Sequence, residues 1–195
     1  ATLLVHVFWF FGIHDAALSG ILSPIRDGGL SLNAAAHVAG QSLPNIFTTP
    51  FWVYFVVIGG CGSCLALAIL LIRSKSKQLR TVGKIGIVPT FFGISEPIIF
   101  GVPLMLNPIF FIPFIFGSVV NATIAYILMD IGIIGKTFAM LSWQMPSIFG
   151  AFLSTMDIKA FLLIIVLIII DILIYYPFFK IYEKQLVQQE ISEEE

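Results

Sequence analysis

The chain alternates two kinds of apolar segment: long unbroken runs, and runs cut by Gly, Pro and isolated polar residues. Roughly 20 apolar residues in a row cross a bilayer core as a helix. Three windows qualify: 51–72 (FWVYFVVIGGCGSCLALAILLI), 109–129 (IFFIPFIFGSVVNATIAYILM) and 160–179 (AFLLIIVLIIIDILIYYPFF). Residues 1–13 (ATLLVHVFWFFGI) read as the end of a further span. The pattern predicts an all-α integral membrane protein, a multi-span helical bundle.

Three stretches, 14–50, 85–108 and 130–157, are apolar but studded with Gly, Pro and polar residues. Irregular backbone at membrane depth persists only where protein buries it or a wet cavity solvates it. Re-entrant hairpins are therefore expected, the kind of broken segment from which transporters build solute sites. Two of these breaks share the pattern G-I-x-acid-x4-G: GIHDAALSG at 12–20 and GISEPIIFG at 93–101. The pattern puts Asp15 and Glu96 in register, as the trace of an internal repeat would.

Composition agrees with a lipid solvent. The chain is 58% hydrophobic and 11% charged, against about 25% charged in soluble domains. Basic residues cluster at 73–84 (RSKSKQLRTVGK), where Arg73, Lys75, Lys77, Arg80 and Lys84 stand with no acid. By the positive-inside rule that loop is cytoplasmic. Lys180 and Lys184 then fall on the same side, which predicts a cytoplasmic C-terminus: the helix extends past the span, and residues 186–195 form its acidic, solvated end. The N-terminal run lacks the basic segment and cleavage site of a signal peptide, so the chain reads as the C-terminal part of a longer membrane protein.

Few polar residues remain to carry chemistry. An ionised side chain at mid-membrane costs about 2.5–3.5 kcal/mol on the insertion scale. Glu96 is therefore a candidate to accept hydrogen bonds from a polar solute or to take a proton from its hydroxyl; the alternative is a carboxylate capping a half-helix beside Ser95. His14 and Asp15 follow an aromatic run, where the histidine can bind a hydroxyl or shuttle a proton, or serve structure alone. Trp143 and Gln144 precede the helix-breaking Pro146; the indole suits the C–H face of a sugar ring or an interfacial belt. Asp171, inside a regular run, is expected to face the bundle and pair with a polar group, or to carry a coupling proton. Cys61 and Cys64 read as small buried residues, and His6 and His37 as structural ones. Metal-ligand spacing, a P-loop, a Ser–His–Asp order and nucleic-acid-binding features are absent, so no metal or cofactor is assigned.

The run GISEPIIFGVPLMLNPIFFIPFI (93–115) resembles the signature of the membrane-embedded IIC components of the bacterial phosphoenolpyruvate-dependent sugar phosphotransferase system, lactose/cellobiose/diacetylchitobiose branch. FWFFGIH (8–14) and YYPFFKIYEKQ (175–185) are similar to the same branch. The resemblance implies a C-terminal sugar-transport domain over residues 1–185, with re-entrant hairpins, in the bacterial cytoplasmic membrane. It implies inward transport of a disaccharide, coupled to phosphorylation of its 6-hydroxyl by a phosphocysteine on a cytoplasmic IIB partner, itself charged through IIA. The phosphoryl donor would lie on the partner, and a homodimer would form through an N-terminal half. Glu96 would meet the sugar near that hydroxyl, His14 would match the family's hairpin histidine, and Trp143 its sugar-contacting aromatic. Asp15, Gly93, Ser95 and Gln144 would complete the substrate set. Many members read Asn-Ile-Asn-Glu-Pro where this chain has Gly93-Ile94-Ser95-Glu96-Pro97, carry a glycine where Asp15 stands, and have Trp-Thr-x-Pro-Pro near Trp143. Those departures bear on which sugar is held. Without the resemblance, an ion-coupled secondary transporter using an intramembrane carboxylate fits the same residues.

Overall fold

The structure, a computed structural model, describes residues 1–194. Its helices are α1 (Thr2–Phe10), α2 (Ala16–Val38), a π-helical turn (Phe51–Val56), α3 (Cys64–Ile72), α4 (Lys77–Phe91), α5 (Glu96–Gly101), α6 (Phe111–Asp130), α7 (Ser147–Thr155) and α8 (Ile158–Glu194). No strand occurs among the described residues, so the expected all-α class holds. Two helices, α6 and α8, are long and apolar enough to cross a membrane.

The window at 51–72 departs from the expected regular span. The π-helical turn ends at Val56, residues 57–63 are unwound, and α3 resumes at Cys64. Gly59, Gly60, Gly62 and Ser63 adopt left-handed φ there, so the helix cannot run through. Nearly all of the segment is buried, with Tyr54, Phe55 and Val56 fully enclosed. Periodicity could not reveal this break, because a segment buried on every side shows apolar residues whether it is helical or not.

The opposite correction applies at 14–50. Ala16–Val38 is one continuous helix despite Pro24 and the glycines Gly20, Gly28 and Gly29. One of its glycines serves packing: a Cβ on Gly29 would stand 3.2 Å from the Phe47 carbonyl oxygen, so the returning loop lies directly on the helix. At 85–108 the expected hairpin is present, with α4 as one arm and α5 as the other. Its first arm starts earlier than expected, inside the basic segment, at Lys77. At 130–157 the chain runs extended before α7, and Phe138 N–H donates to Ser154 O to tie the two together.

The core forms where α3 packs on α4 and α8, α7 on α8, and α1 on α6. The α3–α4 crossing is close because Gly83 has no side chain. A Cβ there would lie 2.6 Å from Ile72 N and 2.7 Å from Leu71 C, both backbone atoms that cannot give way.

Residues 180–194 continue α8, the helix extension expected there. Two of its acids grip the start of α4. Glu183 accepts from Ser74 Oγ (2.8 Å), Lys75 N–H (2.7 Å) and Lys180 Nζ (2.6 Å). Glu190 accepts from Ser76 Oγ (2.6 Å), Lys77 N–H (3.1 Å) and Gln78 N–H (3.0 Å). Four N–H groups at a helix start lack intrahelical partners, and carboxylates suit that end of the dipole. Burial works to raise the Glu183 pKa, but its bonds to Lys180, Lys75 and Ser74 outweigh this and hold it below the ordinary value. Bonds from Ser76 and Gln78 hold Glu190 low as well.

Two outcomes follow from this packing. Gly83→Ala destabilises the full-length protein by about 1–3 kcal/mol, read as a lowered midpoint in thermal or denaturant unfolding in detergent. Carboxylates with depressed pKa values stabilise the fold above their unfolded value and lose that contribution as pH falls through the folded one. Hydrogen-exchange protection factors at Lys75, Lys77 and Gln78 therefore fall below about pH 4, while those in α3 hold; an equal fall in both would contradict the clamp.

Candidate functional site

Both G-I-x-acid breaks close with the same backbone geometry. After α1, Gly12 N–H donates to Trp9 O (2.9 Å) and Ile13 N–H to Phe8 O (2.8 Å). After α4, Gly93 N–H donates to Thr90 O (3.0 Å) and Ile94 N–H to Pro89 O (3.0 Å). Gly12 at φ +85° and Gly93 at φ +82° supply the left-handed residue this helix ending requires. Each is preceded by an edge-to-face phenylalanine pair, Phe10–Phe11 and Phe91–Phe92. The internal repeat is thus a structural one, two residues longer than the sequence pattern suggested: Phe-Phe-Gly-Ile-x-acid, with a new helix starting at or just after the acid.

The two breaks open on one cavity of about 150 Å³. His14 and Asp15 line it from the first break, and Gly93, Ser95 and Glu96 from the second. Trp52, Gly60 and Cys61 come from the π-helical turn and the unwound segment, and Trp143 and Met145 from the approach to α7. Six of the seven residues singled out in the sequence meet here. Gln144 does not: it is exposed, with its backbone N–H donating to Ser142 Oγ.

Glu96 is the first residue of α5, and α5 has no side-chain cap. Among the described residues no hydrogen bond or ion pair engages its carboxylate, which leaves both oxygens free to accept. Its place in the first turn of α5 suits the helix dipole, as the capping alternative expects, but it makes no capping hydrogen bond. Its neighbour Ser95 is buried, and a Cβ on Gly60 would stand 2.4 Å from Ser95 Oγ, so the unwound segment touches the hairpin tip at this glycine. Across the cavity, His14 Nδ1 lies 2.9 Å from Asp15 Oδ1 and 3.1 Å from Ala16 N. The ring can accept from Ala16 when neutral or donate to Asp15 when protonated. Trp9 packs against His14 in a tilted arrangement with ring centres 4.5 Å apart, and its buried indole N–H has no partner among the described residues.

Sequence reasoning missed Trp9 and Trp52 as lining residues. Both lie in apolar runs where an indole reads as core; their closeness to a Gly-marked break was the available signal. It also passed over Arg26, which is buried on α2 with its guanidinium 5.1 Å from the Trp52 ring centre. Such a cation–π contact holds the indole from behind. His6 is fully enclosed, bonded to Thr2 O, and His37 stacks on Phe138. Cys61 and Cys64 are free and buried, with Cys64 Sγ directed at Cys61 O. Asp171 lies away from the cavity, fully buried, bonded to Asn121. A larger open cleft of about 530 Å³ at Thr2, Phe51 and Tyr126 is mostly apolar and brings no titratable cluster together.

A family model described as "Phosphotransferase system, EIIC" matches residues 1–118. The lichenan permease IIC component of Bacillus subtilis (strain 168) is 37% identical over 188 residues, covering 94% of this chain and 42% of that protein. The lactose-specific EIICB component of Staphylococcus haemolyticus (strain JCSC1435) is 37% identical over 191 residues, 96% of this chain and 33% of that protein. The crystal structure of the transporter ChbC, the IIC component from the N,N'-diacetylchitobiose-specific phosphotransferase system, superposes with a TM-score of 0.93 at 35% identity, over 97% of this chain and 45% of that one. The chain therefore spans less than half the length of these relatives.

Because Gly60 meets Ser95 so closely, Gly60→Ala forces the unwound segment away from the hairpin tip. The variant exposes Cys61, which a small maleimide then labels, as located by mass spectrometry; wild-type protein stays unlabelled. Labelling that is equal in both would show that the segment tolerates the methyl group.

Proposed function

The chain belongs to the phosphotransferase system EIIC family, and from that premise we propose that it is a sugar-carrying membrane domain that delivers a disaccharide inward for phosphorylation. The observation that carries this reading is the unpartnered Glu96 carboxylate in one cavity with Trp9, Trp52 and Trp143. Indole faces suit the apolar C–H face of a sugar ring, and a free carboxylate suits its hydroxyls. At about 150 Å³ the cavity is small against the roughly 300–1,000 Å³ of typical ligand pockets. It seats one sugar ring, with the second ring reaching through the mouth beside exposed Trp143.

In this reading Glu96 accepts the hydrogen of the reacting hydroxyl as that oxygen attacks phosphorus. A sugar hydroxyl ionises far above neutral pH and needs such an acceptor, while the rest of phosphoryl transfer is positioning and charge management. His14 and Asp15 hold the opposite side. The donor is a phosphocysteine on a cytoplasmic IIB partner, a pairing supported by relatives named EIICB. Substrates of the lactose, cellobiose and diacetylchitobiose type fit the names of the relatives; Gly93 and Ser95 offer fewer hydrogen-bonding groups than the amides common in the family, which favours a sugar with fewer polar substituents at that edge. Residues 1–185 form the transport domain in the cytoplasmic membrane as a multi-pass bundle. The end of α8 and the basic segment that it grips face the cytoplasm.

The test uses full-length protein with phosphorylated IIB. Glu96→Gln lowers sugar-phosphate formation by about 10²-fold or more, while sugar still quenches tryptophan fluorescence in the variant. Normal phosphorylation by the variant would remove Glu96 from the chemistry; absence of quenching by any of cellobiose, lactose or diacetylchitobiose in wild-type protein would remove the sugar cavity itself.

A further inference from the structure

The cavity leaves one buried carboxylate unused. Asp171, on α8, is fully buried, and its Oδ2 accepts from Asn121 Nδ2 at 2.8 Å. The same amide nitrogen donates to Ser63 Oγ at 2.9 Å, and Ser63 Oγ lies 3.2 Å from Ser118 Oγ. Asp171 Oδ1 and Asn121 Oδ1 are both buried with no hydrogen-bond partner among the described residues. On the Oδ1 side stands Gly117, where a Cβ would lie only 3.1 Å away.

The elements packed around Asp171 offer no positive charge. Asn121 and Ser118 come from α6, Ser63 from the unwound segment, Cys64 from α3 and Tyr175 from α8 itself, while α7 carries no titratable residue. No Lys, Arg or His pairs with it among the described residues. A buried carboxylate without a countercharge is costly, and a buried acceptor without a donor adds to that cost. A carboxylate can only accept; a carboxylic acid also donates. The cluster has more acceptors than donors, and one proton on the aspartate supplies the missing donor. A metal cation would need several oxygens turned toward it, but Asn121 turns its NH₂ group toward both Asp171 and Ser63.

We propose that Asp171 holds a proton in the folded protein, and that the unwound segment 57–63 couples this proton site to the sugar cavity. The coupling rests on the sugar reading above and on four consecutive residues. Gly60 and Cys61 line the cavity. Gly62 O accepts from Tyr175 OH, one turn along α8 from Asp171, and Ser63 Oγ accepts from Asn121. Left-handed backbone at Gly60, Gly62 and Ser63 makes the segment a non-helical strap between the two sites. A sugar that displaces Gly60 shifts the Ser63–Asn121–Asp171 chain.

Infrared spectroscopy of purified full-length protein at neutral pH tests both parts. The expected signal is the carbonyl band of a neutral carboxylic acid, shifted in deuterated water and lost in Asp171→Asn. Saturating sugar, whichever of cellobiose, lactose and diacetylchitobiose binds, shifts that band. Absence of an Asp171-dependent acid band overturns the proton site. A band that saturating sugar leaves unmoved overturns the coupling. Should Asp171→Asn fail to fold, Ser63→Ala in protein labelled with ¹³C-aspartate replaces it: a labelled acid band that moves in this variant supports the assignment, and no labelled acid band overturns it. Tryptophan quenching reports sugar binding independently, so a protein that binds no sugar but keeps the band indicts the sugar reading alone.

Discussion

Everything at the site depends on keeping broken backbone satisfied where the surroundings are apolar. Lipid offers no hydrogen bonds, so each freed N–H and C=O must find a partner within the protein. Here the same solution is used twice: the helix ends at Phe11 and Phe92, a left-handed glycine reverses the chain, and two N–H groups return to carbonyls of the last turn. These endings leave a polar pair, His14-Asp15 or Ser95-Glu96, at each tip, with the Glu96 carboxylate unspent on the backbone.

The unwound segment 57–63 takes a place between these two tips. It borders the cavity through Gly60 and Cys61 and the buried polar cluster through Gly62 and Ser63. A regular helix could not do both, because its carbonyls are consumed by its own N–H groups. The break is tolerated because α3, α6 and α8 enclose it and offer Tyr175 and Asn121 as partners. At the other end of the hairpin, Glu183 and Glu190 anchor the start of α4, so the arm that leads to the Glu96 tip is fixed at its base.

Fold class was legible in the sequence, because apolar run length and scarcity of charge follow directly from the solvent. So was most of the cavity. His14, Asp15, Gly93, Ser95, Glu96 and Trp143 were visible as polar or aromatic residues beside Gly and Pro in runs otherwise fit for lipid, and the mid-membrane cost of Glu96 marked it. Trp9 and Trp52 were not, since an indole in an apolar run looks the same whether it faces core or cavity. Gln144 was named for its neighbour, yet it falls outside the lining because the chain turns between Trp143 and Met145.

By itself the sequence determined the composition of each segment: which runs can live in lipid, which positions carry a carboxylate, and where glycine permits a reversal. Those are local properties, set by side-chain chemistry and allowed φ. The tertiary structure alone decided that 51–72 breaks while 16–38 does not, that the two repeats face one another, and that Asp171 meets Asn121 and Ser63 instead of the cavity. Each of those outcomes depends on which partners reach a freed backbone group or a buried acid, and such partners lie tens of residues away along the chain.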